Sequence, residues 1–214
     1  MKSFKLAIAI AAFLFASLTL AETELEAVKH LQREWAIANY QLVGGSQKVG
    51  FAALVAQADQ KVAAHPQSAE LYIWRGIIKS TYAGVKGGLG ALKYAKAAKA
   101  DLEKALELDA EALKGSAYTS LGTLYFNVPG WPVGFGDDDK AEQLLKKALS
   151  INPDGIDPNY FYGDYLRSEK RYAEAKFYME KALQAKPRAG RELADEGRRK
   201  EIQKALLNIE KRLN

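Results

Sequence analysis

Three consecutive carboxylates, Asp137-Asp138-Asp139, and two histidines, His30 and His65, are the residues of this chain best equipped for chemistry. A carboxylate run can ligate a hard cation such as calcium or magnesium. A histidine can transfer protons near neutral pH or bind a metal. The surrounding sequence assigns these residues to other work. Asp137 to Asp139 stand immediately before an apolar-periodic segment, where negative charge complements a helix amino terminus, and Asp139 with Glu142 has the spacing of a capping box. Asp157-Pro158 reads as the start of the following helix, with proline in the first turn. His65 precedes Pro66 at an expected helix end. The glycines of Gly84 to Gly90 follow a helix rather than a strand and lack the G-x-x-x-x-G-K-S/T pattern of a phosphate-cradling loop. No nucleophile stands paired with a base, and no ligand spacing suits a metal. The expectation is a protein with no catalytic residues, no metal and no cofactor.

The chain ends also bound the function. Lys2 and Lys5 precede an apolar run from Leu6 to Leu20, and small residues at Thr19 and Ala21 suit a signal peptidase. The run is shorter than the roughly 20 residues a spanning helix needs. Residues 1–21 are therefore expected to be a signal peptide, and residues 22–214 a single periplasmic domain without stable membrane insertion. Cysteine is absent, so neither a disulfide nor a thioether-linked lipid is available. The formal charge is +5, and subtracting the two lysines of the leader leaves +3. The basic excess gathers after Lys186 rather than forming a stripe over the whole domain, which argues against nucleic acid as a partner.

The elements that carry these residues are repeated helices. Tyr118, Leu121, Gly122 and Tyr125 fit the tetratricopeptide pattern W-x2-L-G-x2-Y with tyrosine in the tryptophan place, and Ala141, Leu145, Ala148 and Pro153 supply a second helix and its stop. The next unit repeats the plan, with Asn159, Tyr162, Gly163 and Leu166 in one helix and Ala175, Met179, Ala182 and Pro187 in the other. A weaker unit has Tyr72, Gly76 and Lys79 followed by Ala98, Leu102 and Ala105, and Pro66 closes a degenerate unit before it. Gly76, Gly122 and Gly163 remove a side chain where paired helices must approach closely. The fold class expected is all-α: a tetratricopeptide-type solenoid of helical hairpins, clear over about 69–187, with flanking helices. Leu25, Val28, Leu31, Trp35, Ala38 and Leu42 mark the amino-terminal flank. Ile202, Leu206, Ile209 and Leu213 mark a capping helix over about 192–213, with Arg198, Arg199, Lys200 and Lys204 on or near its polar side.

Two places depart from the repeat. Asn127 to Lys140, NVPGWPVGFGDDDK, inserts two prolines and several glycines between two helices, and Ser80 to Gly90 is read as an insertion at the equivalent place in the preceding unit. Trp131 and Phe135 on one insert, and Tyr82 and Leu89 on the other, suit either a rim over the concave surface or a plug against their own helices. The concave surface itself is expected to present Ile73, Ile77, Thr123, Phe126, Tyr160, Asp164 and Arg167. Such a lining suits an apolar or amphipathic small molecule whose polar end meets Arg167, or an extended peptide. Pairing of Asp164 with Arg167 on the next turn is the structural alternative.

The export signal, the insert VPGWPVGFG and the following DDDKAEQLLKKAL resemble the T component of tripartite ATP-independent periplasmic transporters. That resemblance implies a helical repeat protein that binds a hydrophobic small molecule in a pore and partners a periplasmic solute-binding protein. The other class open to such a solenoid is a protein–protein adaptor or scaffold in envelope assembly, with the basic carboxy-terminal helix as a docking surface.

Overall fold

Small residues facing bulky aliphatic ones set the architecture. In the computed structural model, which describes residues 22–213, every named element is a helix, and the expected signal peptide lies outside the described residues. The helices are α1 (Glu24–Tyr40), α2 (Gly44–Ala64), α3 (Ala69–Lys86), α4 (Ala91–Leu108), α5 (Ala112–Asn127), α6 (Asp138–Ile151), α7 (Ile156–Ser168), α8 (Tyr172–Leu183) and α9 (Glu192–Leu213). Consecutive helices pair as antiparallel hairpins, and each hairpin stacks on the next. This is the solenoid that the repeat spacing predicts.

The three glycine contacts are nearly superimposable in their chemistry. A Cβ at Gly76 would lie 2.7 Å from Leu102 Cγ, one at Gly122 would lie 2.8 Å from Leu145 Cγ, and one at Gly163 would lie 3.2 Å from Met179 Cγ. In each case the carbonyl oxygen of an alanine one turn earlier, Ala98, Ala141 or Ala175, lies within 3.3 Å of the same point. A side chain at Gly76 or Gly122 would force Leu102 or Leu145 to shift, and one at Gly163 would be tight against Met179. The apolar faces so joined form one core running from Ala69 to Ile209 and a second built by α1, α2 and α3, with Ala194 of α9 included. Tyr72, Ile77, Tyr94 and Leu113 pack against both, so the interior is continuous.

Several boundaries differ from the sequence expectation, each for a local reason. α3 continues to Lys86, and only a turn at Gly87–Gly90 separates it from α4, so the unit has longer helices rather than an enlarged loop. Gly87 and Gly88 both have φ of +62°, a conformation that costs glycine little. Tyr82 is buried and meets Tyr94 edge-on at 4.7 Å, inside the fold rather than at a rim. The side chain of Leu89, the other aromatic-or-aliphatic tip expected there, lies outside what the structure describes. The cap of α6 is Asp137, whose carboxylate accepts the Lys140 amide at 2.9 Å; Asp138 and Asp139 occupy the first turn. The flanking helix α1 begins with a capping box of Thr23 and Glu26, buries Val28, Leu31, Trp35 and Ala38, and leaves Leu25 exposed. Leu113, Lys114 and Gly115 lie in the left-handed region, so the regular part of α5 starts at Ser116.

The insert after α5 is a compact loop. Gly136 donates to Pro129 O, Asp137 donates to Tyr125 O, and Gly134 donates to Gly130 O. A Cβ at Gly136 would lie 1.9 Å from Val128 O, so this crossing requires glycine. Trp131 and Phe135 part company here. Phe135 meets Tyr125 edge-on at 5.5 Å and packs against the core, whereas Trp131 is 89% exposed. No described helix is long and apolar enough to cross a membrane.

Candidate functional site: a ring-closed groove

The odd-numbered helices make an inner ring. α1 packs on α3, α3 on α5, α5 on α7 and α7 on α9, and α9 returns to α1. Closure of that last contact depends on Gly197 of α9, where a Cβ would lie 2.4 Å from the ring of Tyr40 at the end of α1. The ring encloses a groove of about 520 Å³.

Its walls differ in chemistry. On the α1 and α3 side lie Trp35, Trp74 and Ile77. Trp35 donates its indole N–H to Thr81 Oγ1 at 3.0 Å, and Thr81 in turn donates to Ile77 O at 2.9 Å. α5 contributes Ser116, Thr119, Ser120 and Thr123, whose spacing places four hydroxyls on one helical face. Ser116 and Thr123 donate back to carbonyls of their own helix, at Leu113 and Thr119. The side chains of Gln32, Asn39, Ser80 and Ser120 also line the groove and bond to no other described residue.

The far wall is an arginine cluster. Asp157, in the first turn of α7, accepts from Arg188 Nη1 at 2.7 Å and from Arg198 Nε at 3.0 Å. Arg188 also bonds Asp195 through its backbone N–H and its Nε, at 2.8 and 2.7 Å. Arg198 is buried, pairs with Glu201 at 2.6 Å and lies over the rings of Tyr160 and Phe161 at 4.4 and 4.5 Å. Burial alone would raise the Asp157 pKa, but Arg198 and then Arg188 outweigh it and hold the carboxyl down at about 2. Burial pushes Tyr160 up to about 12.

Arg191 stands apart within this cluster. Its guanidinium carbon lies 4.9 Å from the centre of the Trp74 ring, and it makes no ion pair with any described residue. Its Nε–H is buried without an acceptor, and so is the indole N–H of Trp74. Burial and the neighbouring Arg188 lower its pKa to about 10. Among the described residues, no three His, Asp or Glu side chains gather to hold a metal ion.

Residues 156–188, which span α7 and α8, match the Tetratricopeptide repeat family. A crystal structure of a thermophilic tetratricopeptide protein from Thermus thermophilus superposes with a TM-score of 0.56 at 17% identity, covering 86% of this chain and 100% of its own. The fold is a tetratricopeptide-repeat solenoid. Two structures of MamA are more distant, with TM-scores of 0.46 and 0.45 at 20% and 18% identity. They cover 77% and 86% of this chain and 90% and 89% of their own. No curated protein sequence matches the chain significantly.

The solenoid distributes the sequence-predicted site residues unevenly. Ile77, Thr123 and Tyr160 face the groove. Ile73 does not, because it is fully buried between stacked hairpins, so the expectation of a ligand contact there is corrected. Phe126 turns toward α7 and meets Tyr165 edge-on at 5.7 Å. Asp164 pairs with Arg167 at 2.6 Å, and Arg167 borders a separate surface cleft with Tyr172 and Arg212. Trp131 and Phe135 lie on the insert and line no part of the groove. The polar end of the solenoid's groove is therefore the arginine cluster, not Arg167. Periodicity alone puts Arg198 on the polar side of a cap and gives no reason to single out Arg188 or Arg191. The hydroxyl stripe of α5, at three- and four-residue steps, is the signal of the groove that the sequence does carry.

Proposed function

We propose that this solenoid is a non-catalytic binding protein that takes an extended segment of a partner polypeptide along its inner ring, as an adaptor or scaffold. The observation that carries the reading is the set of uncommitted side-chain amides and hydroxyls, Gln32, Asn39, Ser80 and Ser120, on three successive inner helices. An extended peptide exposes alternating N–H and C=O groups, and amides and hydroxyls can both donate and accept. A groove built for a purely apolar ligand would leave those groups desolvated without partners, at a cost of about 1–3 kcal/mol each.

A second reading keeps the amphipathic small ligand. Trp74 and Ile77 place apolar surface beside the arginine cluster, which suits a small acid with an apolar tail. Its transport-linked form, with a periplasmic solute-binding protein as partner, comes from the sequence resemblance alone. The export signal read in residues 1–21 puts either partner in the periplasm, and sequencing protein from that compartment should begin at Glu22.

Site-specific photo-crosslinking in the host separates the two readings. A photoreactive side chain at Ser120, in the groove, should give a protein adduct that the same group at Gln143, on the exposed face of α6, does not. Equal adducts at both positions would overturn the groove as the working surface. Absence of any Ser120 adduct would favour the small ligand.

A further inference from the structure

We infer that Arg191 and Trp74 form a carboxylate-binding subsite at the arginine end of the groove. The inference rests on reading the groove as a ligand-binding surface, and it names the chemistry that surface recognises.

Both groups are donors without acceptors. Trp74 is 4% exposed and its indole N–H is buried with no partner, and the Arg191 Nε–H is in the same condition. The two side chains are in contact, with the guanidinium carbon 4.9 Å from the indole ring centre. Buried polar groups are almost always satisfied, so two orphan donors on side chains in contact at the groove wall point to an acceptor supplied by a ligand.

The nearby carboxylates do not supply it, being turned toward other arginines. Asp157 already accepts from Arg188 and Arg198, Asp195 accepts from Arg188, and Glu201 accepts from Arg198. Arginine is never deprotonated at neutral pH, so Arg191 carries a charge that no described residue neutralises by contact. The lining as a whole holds Lys114, Arg188, Arg191 and Arg198 against Asp157 and Glu201. A cationic, donor-only corner beside an indole is matched by an acceptor-only, planar anion, and guanidinium binds carboxylate through two parallel bonds.

An acidic side chain of a bound peptide and a free small acid both carry a carboxylate, and calorimetry distinguishes these sources. Three probes are titrated into the purified protein: succinate, an acetylated and amidated Ala-Ala-Glu-Ala-Ala peptide, and the same peptide with Gln in place of Glu. The expected result is that the Glu peptide binds more tightly than succinate and that the Gln peptide binds roughly tenfold more weakly or not at all. Arg191→Gln should weaken the Glu peptide by roughly tenfold or more. Trp74→Phe, which removes the indole N–H together with its five-membered ring while keeping an aromatic face under Arg191, should weaken it by several-fold. It serves as the second variant if Arg191→Gln loses its thermal transition.

Arg191-dependent binding of succinate without peptide binding would uphold the subsite and overturn the polypeptide reading. Equal binding of both peptides, unaffected by Arg191→Gln, would uphold the groove and overturn the subsite. No heat from any probe would overturn the subsite.

Discussion

Gly197 lies against the ring of Tyr40 so closely that a single added carbon would stand within 2.5 Å of three of its ring atoms. This contact joins the last helix to the first and turns an open stack into a closed ring. Tyr40 cannot easily yield, because it also packs edge-on against Trp35 at 5.7 Å. Gly197→Leu should therefore cost about 1–3 kcal/mol by overpacking. Thermal denaturation checks it, and an unchanged midpoint would mean that the ring is not closed at this point.

The insert after α5 separates two aromatic residues by burial. Phe135→Ala should lower stability by about 1–2 kcal/mol, because the side chain is partly buried against Tyr125 and the core. Trp131→Ala should stay within about 0.5 kcal/mol, because the side chain is 89% exposed. Chemical denaturation of the two variants measures the difference. Equal losses would contradict the division between a plugging and a projecting residue.

Gly136→Ala should be worse than either change, since the added methyl would meet a backbone carbonyl rather than a flexible side chain. The expected readout is loss of slow hydrogen exchange at the Gly136 and Asp137 amides, which bond Pro129 O and Tyr125 O. Retained protection would show that the loop reaches its closure by another path.

Asp157 gives the fold an acid limb. Its carboxyl titrates near 2 in the folded state against an ordinary value of 3.8, so the folded protein binds this proton less readily than the unfolded chain. The resulting stability, on the order of 2 kcal/mol, is fully present above about pH 4 and is lost as pH falls from there toward about 2. Denaturation midpoints taken between about pH 6 and pH 2 should drop over that window. In Asp157→Asn the acid limb should be shallower and the stability near neutral pH lower by about 1–3 kcal/mol, because Arg198 and Arg188 each lose one carboxylate partner while keeping Glu201 and Asp195. A mutant with the same acid limb as the parent would assign it to other carboxylates.

The hairpins were legible in the sequence because their cause is local. Gly122 against Ala141 and Leu145 is a relation between two helices joined by one loop, and its spacing recurs in the next unit. Ring closure was not legible, since the meeting of Gly197 with Tyr40 depends on the rotation summed over successive hairpins. The arginine cluster escaped for a different reason. Arg188, Arg191 and Arg198 lie among many charged residues, and such a stretch reads as a solvated face until Asp157 is brought opposite it. Ile73 was misplaced by one helical position, beside the groove-lining Trp74, and Phe126 lies about one turn beyond Thr123, the last groove residue of α5, where it packs on Tyr165.

The central claim is that ligand recognition occurs on the inner ring and not on the outer helices or the insert. Backbone amide NMR of the purified protein during titration with the Ala-Ala-Glu-Ala-Ala peptide reads all three regions at once. The expected result is that saturable shifts concentrate at Ser80, Ser120, Tyr160 and Arg191, with α2, α4, α6 and α8 unmoved. Shifts confined to those outer helices, or to the loop carrying Trp131, would contradict it.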